Sequence, residues 1–302
     1  MRFLNSAIIK LVELFPKSFI YLFASRYIAG ERLEDAVKLV RELNSKNILA
    51  TMDVLGEDTT NVEEANAAVE EAIKVLETIN KEKLNSTLSI KLTQIGLKLD
   101  YNLCLENMKR ILTKARELNN YIEIDMEDSS CTVDTINLFK QLRKEFSNCG
   151  MVMQAYLRKG EEYLKDTIDY LRGSSVRLCK GIYNEPPEIA FKGKQEIRDN
   201  YLKLLDYLFK ENIYVGIATH DIKLINGAKE LIKKYNKTNN DFEFQMLLGV
   251  KVDLRDKLAQ EGFKVRVYVP YGTHWYRYSI RRMKENPELP IAIIKNIFAK
   301  RG

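Results

Sequence analysis

Apolar residues recur along this chain in two alternating rhythms. Short runs with a period of two, rich in Val, Ile and aromatic residues, occupy 48–56, 86–96, 121–128, 151–158, 175–183, 214–221, 242–250 and 264–272. Between them lie longer stretches with a helical period, such as 62–79, 103–118 and 188–209. A period of two marks a strand with one buried face; a spacing of three and four marks one face of a helix. Strands that alternate with helices imply right-handed βαβ units and a parallel sheet. Eight such units over roughly 250 residues predict an α/β fold closed as a (β/α)8 barrel. An open doubly wound sheet is the competing architecture. Its nucleotide-binding members carry GxGxxG after the first strand, and this chain has no such motif.

The polar residues near the C-terminal end of each run turn the fold reading into a site reading. They are Asp53, Lys91, Asp125 with Glu127, Gln154, Arg177 with Lys180, Thr219 with His220, Gln245 and Tyr268. Parallel barrel strands are buried on both faces, so solvent does not explain eight polar strand ends. In a barrel they converge on the C-terminal face, where active sites of this architecture are built.

Ahead of the first run, Lys10, Glu13, Pro16 and Lys17 interrupt an apolar stretch over 8–23. A membrane span needs about 20 uninterrupted apolar residues. Two amphipathic helices broken at Pro16 are predicted instead, packed on the domain or resting on a bilayer or partner. The chain is expected to form one domain over 1–302, with a helical segment over 1–46 and the barrel with its C-terminal helices over 47–302. Its 48 basic residues stand against 42 acidic ones, a net charge of +6. That balance favours small anions or a membrane surface slightly and is not a nucleic-acid signature. Cys104, Cys131, Cys149 and Cys179 form no CxxC pair, so free thiols in a reducing cytoplasm are expected. With only His220 and His274 present, a histidine-rich metal centre is excluded, and no metal is expected.

The segment 264–285 carries the sharpest chemistry. Val265, Val267 and Val269 alternate as a strand that Pro270 and Gly272 end. A helix-compatible run follows, and positions three and four apart on it share a face, which stacks Tyr278 on Arg281 and Arg282 with Glu285 a turn further on. Two guanidiniums, a phenol and a carboxylate past a strand end suit an anion. Two mechanisms fit such a face. Lys91 or Lys180 could form a Schiff base, as in barrel aldolases, if its pKa were depressed. Alternatively the cations hold a redox cofactor and a small acidic substrate. Residue types alone leave both open.

The motifs then resemble one family. VYVPYGxxWYxYxxRRxxE at the last strand and helix is similar to the signature of the flavin-dependent proline dehydrogenases. RYIAGE (26–31), MDVLGE (52–57), SIKL (89–92), IDMED (124–128), QAYLR (154–158), VRLCKGIYNEPPEIAF (176–191), ATHD (218–221) and FEFQML (242–247) resemble further segments of that family, in its order. The resemblance implies a distorted (β/α)8 barrel with N-terminal helices, whose last helix sits over the C-terminal face. It implies a monofunctional bacterial enzyme that oxidises L-proline to Δ1-pyrroline-5-carboxylate with FAD, the first step of proline catabolism to glutamate. Electrons would pass to a membrane quinone, through peripheral contact at the inner face of the cell membrane, and the product to a separate pyrroline-5-carboxylate dehydrogenase.

By the same resemblance, Arg281, Arg282 and Lys91 bind the proline carboxylate, and Tyr268, Tyr278, Leu247 and Asp125 shape the pocket around the ring. Arg177 sits near the flavin N5 edge. Gln154, Lys180, Gly181, Thr219, His220, Gln245 and Glu285 hold the remaining parts of FAD. Glu57 corresponds to a gate residue that pairs with an arginine of the last helix. Lys91, Asp125, Arg177 and Tyr268 are the expected catalytic group, with Asp125 either a base or an orienting group. Two positions depart from the family pattern. Ile182 stands where alanine is common, and Arg277 where a proline often precedes the motif's second tyrosine. His274 is expected to cap the helix or lie at the surface, Trp275 and Tyr276 to pack, and Cys179 to fill core space.

Overall fold

The computed structural model describes residues 20, 21 and 24–285. The expected helix break at Pro16 therefore lies outside the described residues. Eight parallel strands close into a barrel in chain order. They are β1 (Leu49–Val54), β2 (Ser86–Lys91), β3 (Ile122–Asp125), β4 (Cys149–Gln154), β5 (Ser175–Cys179), β6 (Tyr214–Ala218), β7 (Phe242–Leu247) and β8 (Val265–Tyr271), and β8 pairs back onto β1. The helices are α1 (Leu33–Asn44), α2 (Val62–Lys81), α3 (Tyr101–Glu117), α4 (Ser129–Arg143), α5 (Gly160–Leu171), α6 (Lys194–Lys210), α7 (Ile222–Lys234), α8 (Val252–Gln260) and α9 (Trp275–Glu285). No helix among the described residues is long and apolar enough to cross a membrane.

The period of two sorts each strand into an outer and an inner face. Outward residues such as Ala50, Met52, Leu88, Ile122, Ile124, Met151, Met153, Val215, Phe244 and Val267 are buried against the helices and form the core. Polar inward residues also occur below the strand ends, as on β2, β3, β5, β7 and β8, and they bond across the axis. Ser175 on β5 donates to Glu123 on β3, and Arg177 on β5 donates to Ser89 on β2.

Local chemistry sets the turns. Asn61, Asp100, Asp128 and Asp221 cap α2, α3, α4 and α7 by accepting from backbone N–H groups of the first turn. Asn47, Asn119, Asn212 and Asn236 take the left-handed conformation just past α1, α3, α6 and α7, and turn the chain toward the next strand.

Two features position the site. Helix α1 precedes the barrel in sequence yet packs on β1 and β8, covering the seam where the barrel closes. That leaves α9 to pack elsewhere. Trp275, Tyr278 and Ile280 join Ile20, Ala24, Tyr27, Ile28 and Leu55 in a separate cluster beside the end of β1. Trp275 Nε1 donates to Glu31 at 2.7 Å. Helix α9 thus lies over the C-terminal face. Several element ends differ from the sequence pattern. The second run stops at Lys91 because 92–95 winds into a 3-10 turn. The stretch 188–209 becomes helical only from Lys194: Ala190 bridges to Leu157, and Glu196 accepts from the N–H of Gly193 at the helix start.

Candidate active site

Asp125 is the hub of a buried cluster at the C-terminal end of the barrel axis. Its Oδ1 accepts from Ser89 Oγ (2.8 Å) and Arg177 Nη1 (2.7 Å). Its Oδ2 accepts from Tyr268 OH (2.7 Å) and lies 3.7 Å from Lys91 Nζ. Lys91 Nζ donates to Asp53 Oδ1 at 2.6 Å and sits 3.5 Å from Tyr268 OH. The Arg177 guanidinium stands 5.2 Å from the centre of the Tyr268 ring. Closure brings β8 beside β1, so strands at the two ends of the sequence meet around one carboxylate.

The charges balance: Asp53 and Asp125 against Lys91 and Arg177. Burial works against the Lys91 ammonium, yet the charges of Asp53 and Asp125 hold its pKa well above the usual range. Burial pushes the Asp53 carboxyl up, and Lys91 pulls it back. Burial and then the Asp125 charge raise the Tyr268 phenol well above its ordinary value. Burial also opposes Arg177, and Asp125 with Glu123 more than restores it.

Around this cluster the predicted residues fall into three settings. Gln154 is 1% exposed, and its Nε2 donates to the carbonyls of Met126 (2.8 Å) and Glu127 (3.0 Å). Glu127 itself turns away from the axis to accept from Thr93 N and Oγ1, so it does not join the strand-end cluster. Gln245 stands beneath Arg177: its Oε1 accepts from Arg177 Nε at 2.6 Å, and its Nε2 donates to Glu243. At the rim, His220 Nε2 accepts from the N–H of Leu247 at 2.9 Å, which puts its proton on Nδ1. Burial first, then Arg282, Lys251 and Lys180, lowers the His220 pKa to about 4, so the ring is neutral at ordinary pH. Thr219 Oγ1 accepts from Asp221 N, and Lys180 is exposed, 3.5 Å from Asp221. On α9, Tyr278 and Arg282 are buried, with the guanidinium 5.4 Å from the phenol ring centre. The side chains of Arg281 and Glu285 lie outside the described residues. Glu57 is partly buried in the loop after β1.

The sequence pattern places Asp53 on this face without a particular role and passes over Ser89; they hold Lys91 and Asp125 respectively. Ser89 stands two residues before Lys91, so it shares the inward face, and that alternation is the signal that points to it.

Residues 36–289 match the proline dehydrogenase family. The chain belongs to the proline dehydrogenase family. It is 38% identical over 279 residues to proline dehydrogenase 1 of Bacillus subtilis (strain 168), covering 92% of each chain. It is 34% identical over 293 residues to the proline dehydrogenase of Deinococcus radiodurans, covering 95% of this chain and 93% of that one. A crystal structure of proline utilization A from Bdellovibrio bacteriovorus, inactivated by N-propargylglycine, shares the fold: TM-score 0.83, 23% identity, 87% of this chain and 32% of that one. Membership makes the chain an oxidoreductase by family.

Proline dehydrogenases are flavin-dependent as a family, and the buried polar atoms fit such a group. Gln154 Oε1 and Arg177 Nη2 are buried with no hydrogen-bond partner among the described residues. A flavin ring offers both an N–H donor and ring nitrogen and carbonyl acceptors for an acceptor and a donor of this kind. Gly181 takes φ +97°, and a Cβ there would lie 2.2 Å from the Tyr156 ring, so the backbone after Lys180 admits glycine alone. The Schiff-base alternative fares worse at Lys91, whose pKa is raised where that chemistry needs it lowered. Cys179 is partly buried, its thiol pushed up to about 11 by burial, and it is no nucleophile at neutral pH. His274 is exposed and Trp275 packed, as expected.

Proposed function

We propose that this protein oxidises L-proline to Δ1-pyrroline-5-carboxylate with FAD and passes the electrons to a membrane quinone. The observation that carries the reading is the charge-balanced cluster of Asp125, Arg177, Lys91, Asp53 and Tyr268 beneath the buried Arg282 of α9, in a chain of this family. Because the cluster is neutral in itself, an anionic substrate needs the further cations of α9. Arg282 and Arg281 with Lys91 hold the carboxylate. Tyr268, Tyr278 and Leu247 enclose the pyrrolidine ring and keep water from it.

A bound flavin would take a hydride from C5 of proline. One proton must first leave the ring nitrogen, because only a neutral amine has the lone pair that forms the imine. Asp125 already takes three hydrogen bonds and faces a fourth donor, Lys91. A carboxylate so engaged orients its neighbours rather than collecting a proton. The buried, unpartnered Nη2 of Arg177 is the donor that would answer the negative charge a flavin gains on reduction. Gln154, Lys180, Gly181, Thr219, His220 and Glu285 hold the rest of the flavin, and Gln245 serves it through Arg177. Glu57 closes the mouth against an arginine of α9. Peripheral membrane contact and transfer of the product to a separate dehydrogenase complete the reading.

Purified protein should be yellow, and the flavin absorption should bleach when L-proline is added without oxygen. Reoxidation by a soluble quinone tests the acceptor. A colourless protein that FAD cannot reconstitute would overturn the proposal.

A further inference from the structure

Below the catalytic cluster the barrel holds a second polar layer that the proposed reaction does not use. A cavity of about 250 Å³ lies there, among Glu123, Ser175, Tyr214, Glu243 and Arg266 near the strand starts. It shares Thr87, Tyr121 and Arg266 with a wider hollow of about 510 Å³ on the N-terminal surface, so the layer has its own access to water. Most of its groups are satisfied internally. Glu243 accepts from Arg266, Tyr214 and Gln245.

Glu123 is not satisfied in this way. Its Oε1 accepts from Ser175 Oγ, but Oε2 is buried with no hydrogen-bond partner among the described residues, and the residue is 5% exposed. Gly150 on the intervening strand permits this reach, since a Cβ there would lie 2.2 Å from Ser175 Oγ and 2.8 Å from Glu123 Oε1. Glu123 stands two residues before Asp125 on the inner face of β3, and Arg177 two residues after Ser175 on β5. The Arg177 charge is felt by both carboxylates: it contacts Asp125 at 2.7 Å, and it pulls down the Glu123 pKa against burial.

We propose that Glu123 is a positioning residue for Arg177. It is a carboxyl one layer below the cluster that exchanges its proton with water through the N-terminal cavity, and its charge sets how strongly the guanidinium is held down the barrel. Ionised, Glu123 competes with Asp125 and the cofactor side for Arg177; protonated, it releases that claim. The inference rests on the flavin reading only for its consequence at the catalytic face. The charged and titratable groups around Glu123 are Tyr121 just before its own strand and Asp125 on it, Cys149 on β4, Arg177 on β5, Tyr214 on β6, Glu243 on β7 and Arg266 on β8. Burial, the largest influence, pushes the Glu123 carboxyl up to about 7, with Glu243 adding to it and Arg177, Ser175 and Arg266 opposing.

The test follows the Arg177 side-chain nitrogens by NMR against pH in the protein as purified, with the resonances assigned by their loss in Arg177→Lys. They should move with a midpoint near neutrality in the wild type and stay in place in Glu123→Gln. Movement in both proteins, or in neither, overturns the proposal. If Glu123→Gln does not fold, Ser175→Ala removes the donor on Oε1 and should shift the midpoint upward; an unmoved midpoint overturns the proposal equally. In the flavin-loaded protein, the step near neutrality in a plot of flavin midpoint potential against pH should vanish in Glu123→Gln, and curves that coincide count against it. An intact Arg177 titration in a protein that never bleaches with proline would support this inference and count against the flavin reading.

Discussion

The barrel interior contains two polar layers built from nearly the same residue types, and on β3 and β8 they stand two residues apart, Glu123 below Asp125 and Arg266 below Tyr268. The upper layer has Asp53, Asp125, Lys91, Arg177 and Tyr268; the lower has Glu123, Glu243, Arg266, Tyr121 and Tyr214. In the upper layer two cations meet two carboxylates, and two buried atoms are left over, the donor Arg177 Nη2 and the acceptor Asp53 Oδ2. In the lower layer Arg266 is consumed by Glu243, Thr87 and the carbonyl of Ala50, and what is left over is a carboxylate oxygen. A surplus donor suits an electron-rich ligand, and a surplus acceptor suits a proton. The chemistry of each layer therefore lies in the group its network does not satisfy.

The contrast predicts different failures. Removing Arg266 as Arg266→Met leaves Glu243, with a side chain 2% exposed, as a buried carboxylate without its cation. Breaking such a pair costs about 3–5 kcal/mol. Chemical denaturation should show a loss of that order, with kcat/KM per folded molecule nearly unchanged. A loss below about 1 kcal/mol would mean the lower layer is not locked by charge.

Asp125→Asn should reverse that pattern. An amide turns one of its two ends into a donor facing donors, and Arg177, Tyr268 and Lys91 lose their common acceptor. Misplacing groups around a reacting centre by an ångström costs on the order of 100-fold, about 2.7 kcal/mol of barrier. Steady-state kinetics with L-proline should show that fall in kcat/KM, with a smaller change in melting temperature. An Asn variant with native kinetics would remove Asp125 from the site.

His220 tests the rim with a smaller effect. An unfolded chain takes up a proton as pH falls through about 6.5, whereas folded His220 resists until about 4. Stability should therefore fall as pH is lowered through that window, by on the order of 1–2 kcal/mol allowing for partial exposure. Denaturation midpoints measured across it should be flatter in His220→Asn. Glu123 tilts the opposite way: its raised pKa lowers stability as pH climbs from about 4.5 toward 7. The two variants should thus change the pH–stability curve with opposite signs.

Much of this architecture is legible in the sequence because hydrophobic periodicity is local. All eight strands fall inside their predicted runs or within two residues of them, and Lys91, Asp125, Arg177 and Tyr268 do meet. The lower layer is not legible, because alternation can place Glu123, Glu243 and Arg266 on the inner face but says nothing of which partners satisfy them across the barrel. The pairing of Arg177 with Asp125 skips β4 entirely and depends on the closure of the barrel. Nor does sequence order reveal that α1 fills the seam and so frees α9 for the C-terminal face. Glu127 misleads for a related reason: it follows an inward aspartate, but the chain has already left the strand and turned it toward Thr93.

The smallest effect belongs to the departures from the family pattern. Ile182 is 41% exposed and Arg277 is exposed, so neither is packed into the catalytic cluster. A solvent-facing side chain makes few contacts to lose, and exposed substitutions usually stay within about 0.5 kcal/mol. Ile182→Ala should leave the ratio of kcat/KM for L-proline over hydroxyproline within about twofold of the parent, since 0.5 kcal/mol is roughly a factor of two. A larger change in that ratio, with KM moving and kcat constant, would show that the segment after Lys180 folds inward over bound substrate. The upper layer would then be completed from β5 as well as from α9, and the difference between the two layers would include a moving wall.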